Sequence, residues 1–433
     1  MKAKIFSTIL IGLSLGVSSC SDYLDIAPTD KTTDKEIWAS VANAELLIND
    51  FYHNLHYFGQ FSTSDGQSGA GWTEALSGEL KYSSMTYNAM MYVPSEMAYG
   101  GAVLTSSYVS YYWGNWSTIY SKIRYVNEAL YNLKKFASFP QTDMERLEAE
   151  IRFFRGQLYF ELIKRYHKVI LYNEEMDKMQ KDTPVSSEEA GWDLVQEDLE
   201  YAGKYLPVST TANGRVTSGA AYALLSRAML YAKRWDVAKT AAEAVFGMGY
   251  SLTTYDNIFS SNNSEAILQY SYDKDHVSHQ LDFYYAPGGD TKAQAYGTPT
   301  QEMVESYELA GTGGFPDWTP WHNDDVTATP PYDKLEPRFH ATILYNGAQW
   351  KGRTIEPYVD GKDGYAQWIV DATPNGKTVT GYYLRKMLNE EIDLTKDKST
   401  QPWIVIRLAE VYLNYAEACY RLNETDLANE YVK

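Results

Sequence analysis

Cysteine is nearly absent from this chain. Its 433 residues contain two, Cys20 and Cys419, which excludes a disulfide framework and any thiolate-held metal cluster. Cys419 falls in an apolar helical pattern and reads as a small core residue. Basic charge is the minority sign: 38 Lys and Arg against 56 Asp and Glu leave a formal charge of −18. Such a surface repels phosphate backbones and anionic headgroups, which argues against nucleic acid and against electrostatic membrane binding. Long apolar runs are missing too. The run Ile5–Val17 is far short of the ~20 residues a spanning helix needs. The chain also lacks a Gly-rich phosphate loop, a Gly-x-Ser-x-Gly elbow and a zinc-protease helix. Phenylalanine is sparse, 14 residues against 38 tyrosines. Tyrosine in excess suits half-buried rings with wet tips, as at interfaces and ligand surfaces, although many-helix packing uses it as well.

The first residues carry an address. Lys2 and Lys4 precede the apolar run, and Val17, Ser18 and Ser19 precede Cys20, with Asp22 and Asp25 following. This pattern predicts a secretory signal peptide over 1–19, cleaved ahead of Cys20, whose thiol then carries lipid. More than 400 residues follow, enough for one large domain or two to three smaller ones.

Helical periodicity dominates the next part. Ile37, Val41, Ala44, Ile48 and Phe51 form one stripe, and Leu147, Ile151, Phe154, Leu158 and Leu162 another, with Thr142 and Glu145 spaced as a capping box. Ser186 and Glu189 are spaced to cap a third helix, Thr217 or Ser218 a fourth, while Thr298–Pro299 and Pro402 are expected to open two more. Ser226 is followed twelve positions later by Ala238, and Ala416 by Ala428, each across a polar turn. That spacing fits the tetratricopeptide hairpin, where small residues let two helices approach closely. Between about 250 and 400 Gly, Pro, Asp and aromatics prevail, with short apolar runs at 266–270, 341–345 and 381–384 that suit short strands or loops. Loops as long as 310–335 in a compact domain are usually functional or disordered, and Trp318 and Trp321 argue against disorder.

Aromatic rings in polar loops stack on apolar faces of a ligand while polar neighbours bond it, and the candidates are Trp72, Tyr284, Tyr285, Trp318 and Trp321, with Asn323 and Asp324 adjacent; that the ligand is a glycan is what the resemblance given below implies. The alternative for each ring is to pin its loop onto the helical body. Arg407, Glu410, Asn414 and Glu417 lie at helical spacings and read as a network tying helices together rather than as a hydrolytic acid pair. His276 and His279 with Asp273, Asp275 and Asp282 lack a further ligand at metal spacing. No catalytic residue, metal site or cofactor is expected; a structural calcium in an Asp- or Asn-rich loop stays open.

Several segments, in order, resemble the SusD/RagB family of outer-membrane nutrient-binding lipoproteins of Bacteroidetes: the lipobox and acidic start at 19–25, Ala149–Phe160, Arg215–Arg227, Pro299–Glu305, Glu336–Phe339, Gly381–Lys386 and, most specifically, Arg407–Glu417. The resemblance implies an all-α superhelix of tetratricopeptide-like hairpins with a large loop-rich ligand-binding region and a few short strands. It divides the chain into a signal peptide at 1–19, a helical region at 20–250 and a C-terminal region at 251–433. The helix at Lys433 is not closed, and the family usually continues further, so a truncated C-terminal region is expected. The implied role is non-catalytic: a lipoprotein anchored through Cys20 in the outer membrane, facing outward, that binds oligosaccharide and serves a SusC-like TonB-dependent β-barrel transporter. A peptide-binding lid of the same family and an α-helical glycoside hydrolase are the alternatives.

Overall fold

The computed structural model describes residues 33–57, 74, 77–82, 116–174, 183–210, 214–260, 263–289, 293–323, 329–364 and 376–433. Cys20, Trp72 and Asp324, together with the expected signal peptide at 1–19, lie outside these residues.

The helical body opens with α1 (Asp34–Ile37), α2 (Val41–Asn49) and α3 (His53–Tyr57). It continues through α4 (Trp116–Phe136), α5 (Gln141–Tyr166), α6 (Glu188–Tyr205), α7 (Ser218–Tyr231) and α8 (Trp235–Val245). Each helix from α4 to α8 packs on its neighbours in the chain. The stripe through Ile37 and Phe51 is broken rather than continuous, because Ser40 stops one helix and caps the next, its Oγ accepting from the Asn43 N–H at 3.2 Å. Side-chain oxygens also cap α6 and α7: Ser187 Oγ accepts from Ala190 N–H at 3.1 Å and Thr217 Oγ1 from Ala220 N–H at 3.3 Å. Ser186 is not the cap of α6; its hydroxyl turns back and donates to the Val169 carbonyl at 2.8 Å. Thr142 caps nothing either. Helix α5 starts two residues earlier behind Pro140, whose carbonyl takes the Asp143 and Met144 N–H groups.

After α8 the chain leaves the helical stack and returns to it at α13 (Leu408–Arg421) and α14 (Thr425–Val432). Helix α13 packs directly on α8, so the irregular stretch between them is an insertion between two adjacent hairpins. Both hairpins marked by small residues are present, α7 with α8 and α13 with α14, and Ser226, Ala238, Ala416 and Ala428 are all buried in them. The ends of the insertion are stapled together by β2 (Ala266–Tyr270) and β8 (Trp403–Arg407), which pair antiparallel with two register irregularities. Pro402 therefore precedes a strand and not a helix. Ile404, Val405 and Ile406 are β-branched and suit a pleated surface better than a helix turn.

The insertion carries short elements: α9 (Leu281–Tyr285), α10 (Gln301–Glu305), α11 (Thr319–His322) and α12 (Pro337–Thr342). The strand pairs are β1 (Leu80–Tyr82) with β3 (Gly297–Pro299), β4 (Ile343–Leu344) with β7 (Tyr383–Leu384), and β5 (Gln349–Trp350) with β6 (Arg353–Thr354). Thr298 and Pro299 belong to β3; the cap of α10 is Thr300, whose Oγ1 accepts from Met303 N–H at 3.2 Å. Among the described residues one large apolar core fills the helical stack, and three smaller ones sit under the loops. The architecture is all-α and tetratricopeptide-like with a loop-rich insertion. No helix among the described residues is long and apolar enough to cross a membrane.

Buried charge ties the stack together. Arg155 is paired at every nitrogen: its Nε and Nη2 donate to the Asp198 carboxylate at 2.6 and 2.7 Å, and its Nη1 to Glu174 at 2.8 Å and Asn127 at 3.1 Å. Arg227 of α7 donates to Glu410 of α13 and to the Val405 carbonyl, each at 2.6 Å, and Arg407 pairs with Glu265. Glu410 thus ties α13 to α7, as its spacing suggests, whereas Arg407 ends β8 and pairs beside β2, and Glu417 reaches only Arg421 on its own helix.

Candidate functional site

Long loops need buried bulk beneath them, and aromatic residues supply most of it here. This decides the fate of several candidate contacts. Tyr285 is 2% exposed and packs with Tyr272, Leu281 and Tyr284 in one satellite core. Tyr284 is buried as well, stacked on Tyr296 with centroids 5.3 Å apart and edge-on to Phe283 at 4.9 Å. Trp318 is 7% exposed, packed with Tyr307, Leu335 and Phe339 and 6.4 Å from the Tyr332 ring. Tyr284 and Trp318 pin loops, and Tyr285 does so too, its ring meeting open space only at the apolar cavity described below. Trp321 differs: one turn along α11 it is 39% exposed. Asn323 beside it is exposed too. The neighbouring His322 Nε2 lies 2.6 Å from Glu305 Oε1, which fastens α11 to α10.

A large depression of the insertion lies elsewhere. A groove of about 860 Å³ runs between the 254–260 turn, the start of α12 and the 385–390 corner. Tyr255 and Phe259 form one side, His340 and Arg385 another, and Asn389 and Glu390 close the end. All six side chains are at least partly accessible. Arg385 Nε donates to Glu390 Oε1 at 2.9 Å and its Nη1 to the His340 carbonyl at 3.3 Å. His340 Nδ1 is 3.1 Å from the Tyr345 hydroxyl. Burial, with the Arg385 charge beside it, holds the His340 ring below the usual histidine range, which favours neutral imidazole.

The floor of the 385–390 corner is fixed from behind by a buried carboxylate. Asp282 Oδ1 accepts from the Asn389 N–H at 2.6 Å, and its Oδ2 accepts from Ser399 Oγ at 2.6 Å and Gln401 Nε2 at 2.8 Å. Gln401 also donates to the Met387 carbonyl at 2.9 Å. Burial raises the Asp282 pKa despite these donors. Met387 itself is held at φ 68°, a conformation that a residue with a β-carbon rarely adopts.

A second, apolar cavity of about 380 Å³ adjoins the groove; Phe259 and Met387 line both. Tyr285 contributes to its wall.

The histidine–aspartate cluster separates into ordinary contacts. His276 pairs with Asp273 at 2.8 Å on the surface, whereas His279 is buried, its Nε2 3.0 Å from the Gln401 carbonyl and its Nδ1 accepting from Leu281 N–H at 3.2 Å. Among the described residues no group of three or more His, Cys, Asp or Glu is placed to hold a metal ion.

Sequence reasoning missed the groove. The signal was present: Glu336–Phe339 and Gly381–Lys386, two of the family-like segments, border its walls. Nothing in linear order, however, brings Tyr255 and Phe259 to them across some eighty positions.

Residues 264–433 match the model of the SusD family, and residues 22–230 match a family model described as starch-binding associating with outer membrane. A SusD-like protein of Bacteroides ovatus is 24% identical over 448 residues, covering 98% of this chain and 73% of that protein. A solved SusD-like protein of Bacteroides fragilis is 25% identical with a TM-score of 0.73, covering 94% of this chain and 80% of the other. A SusD-like carbohydrate binding protein, also from Bacteroides fragilis, is 22% identical with a TM-score of 0.72, covering 89% and 75%. With the helical stack, the insertion between its hairpins and both halves of the sequence agreeing, the chain belongs to the SusD/RagB family.

Proposed function

We propose that this protein is a non-catalytic surface lipoprotein that binds oligosaccharide and passes it to a TonB-dependent β-barrel transporter. The observation that carries this reading is the groove of about 860 Å³ walled by Tyr255, Phe259 and His340 with Arg385, Asn389 and Glu390 beside them. Rings supply stacking surface, and a mixed set of donors and acceptors suits neutral hydroxyls better than a single charge would. Trp321 and Asn323 on the exposed turn of α11 are proposed as further contacts, as are Trp72 and Asp324. The description of the matching family model as starch-binding and associating with outer membrane supports the ligand class and the location, and the fragilis relative described as carbohydrate binding supports the ligand. The lipid on Cys20 would tether the protein to the outward face of the outer membrane and raise its local concentration at the transporter.

An oligosaccharide array followed by calorimetry tests this. The selected oligosaccharide is expected to bind Phe259→Ala about tenfold more weakly, ~1.4 kcal/mol, with the melting transition unchanged. Retention of peptides and no glycan would replace the reading by a peptide-binding lid. Turnover of a bound oligosaccharide, abolished by one carboxylate substitution, would make the protein a hydrolase.

A further inference from the structure

Groove and cavity are two compartments of opposite character sharing one wall. The cavity's walls are apolar, from Leu80 of β1, Met303 of α10, Leu384 of β7, and Trp403 and Ile404 of β8. An apolar cavity of roughly 150 Å³ holds a benzene ring, so about 380 Å³ accommodates a ring with a short extension. A sugar ring would stack its C–H faces there only by burying hydroxyls short of partners, which is costly. The cavity wants something the groove does not, and Phe259 and Met387 put the two in direct continuity.

Three features narrow the occupant. Tyr285, Trp403 and Phe259 present rings, and Met303 and Met387 present polarisable thioethers, which together favour an aromatic group over a plain alkyl chain. Lys386 also lines the cavity, its Nζ 5.6 Å from the Phe259 ring centroid and without a carboxylate partner among the described residues. That ammonium stands near the shared wall as a donor for a carbonyl oxygen. Glu74 and Glu79 line the same cavity. Two carboxylates against one ammonium disfavour a free acid and leave a neutral carbonyl, such as an ester, as the acceptor.

Building on the oligosaccharide reading, we infer that the cleft recognises a glycan esterified with an aromatic acyl group: the sugar lies in the polar groove, the ester carbonyl faces Lys386, and the aromatic ring fills the apolar cavity. The ligand class is thus an aromatically acylated oligosaccharide rather than a bare one.

The test fills the cavity and leaves the groove alone. Met303→Trp and Ile404→Phe enter from two different walls, and neither residue borders the groove; either variant that keeps the native melting transition suffices. Methyl ferulate serves as the isolated acyl probe in calorimetry. The oligosaccharide selected by the array, compared with its mono-feruloyl ester, serves as the full ligand. Methyl ferulate is expected to bind the unaltered protein and to be lost in the filled variants. The ester is expected to bind at least about tenfold more tightly than the bare oligosaccharide, a gain of the size that an apolar pocket yields, and the filled variants erase that gain while binding the bare form normally. Equal affinity for ester and bare oligosaccharide, or methyl ferulate binding unaffected by both substitutions, overturns the inference and leaves the glycan reading standing. An array that retains no oligosaccharide overturns the glycan reading and this inference with it.

Discussion

Arg155 shows what a single residue does in this stack. It is 5% exposed, and its guanidinium spends its donors on Asp198, Glu174 and Asn127. A buried ion pair is weak evidence of stability in itself, but removing one partner strands the other charge away from water. Arg155→Leu is therefore expected to lower unfolding free energy by about 3–5 kcal/mol, read as a shift of the urea midpoint, with Asp198→Asn destabilising too, because its amide keeps one of the two acceptors and sets an NH2 against the other guanidinium N–H. The same scale explains the candidate aromatics. Trp318, Tyr284 and Tyr285 looked like ligand contacts from their polar neighbours in sequence, yet each is buried. Sequence adjacency to Gly, Pro and Asp reports that a residue is in a loop; it does not report which way a ring points.

At the scale of elements, several helices begin where a hydroxyl caps them. Thr217 accepts from the Ala220 N–H at 3.3 Å, and its Oγ1 is 3.2 Å from the Tyr250 hydroxyl, so one side chain both starts α7 and holds the segment after α8. Thr217→Ala is expected to cost about 1 kcal/mol in chemical denaturation, and Thr217→Ser to recover most of it. The hairpins were legible in advance because Ser226 with Ala238 and Ala416 with Ala428 repeat a local spacing. The cap residues were legible only to within a position or two, since Ser186 and Ser187 are chemically alike and the Val169 carbonyl decides between them. Pro402 misled for a related reason: proline marks a boundary, and the pairing of β8 with a strand some 130 residues earlier makes the next segment a strand.

For the molecule as a whole, the dominant facts are its acidity and the cations that hold a half-buried carboxylate, Glu174, ionised. Burial opposes the charge on Glu174, but hydrogen bonds from Lys134 and Arg155 outweigh it and hold the carboxyl down at about 2, against 4.5 for the free group. A lowered pKa means that the native state binds the proton less tightly than the unfolded chain does. Its contribution to stability is complete above pH 4.5 and is lost as pH falls from there towards 2. Melting temperature is expected to drop through that window, and Glu174→Gln, less stable at neutral pH, is expected to show a flatter drop. An unchanged slope would move the acid sensitivity to other carboxylates.

Composition, periodicity and short motifs by themselves determined the helical class, the tetratricopeptide-like spacing, the acidic surface and the family resemblance, because each is written in residues close together in the chain. The site was decided by tertiary structure alone. Tyr255, His340 and Arg385 meet because β2 and β8 staple the ends of a long insertion back onto α8 and α13. Whether an aromatic ring becomes a loop's core or a ligand's wall depends on which side of that folded insertion it occupies, a property of packing that no local pattern encodes.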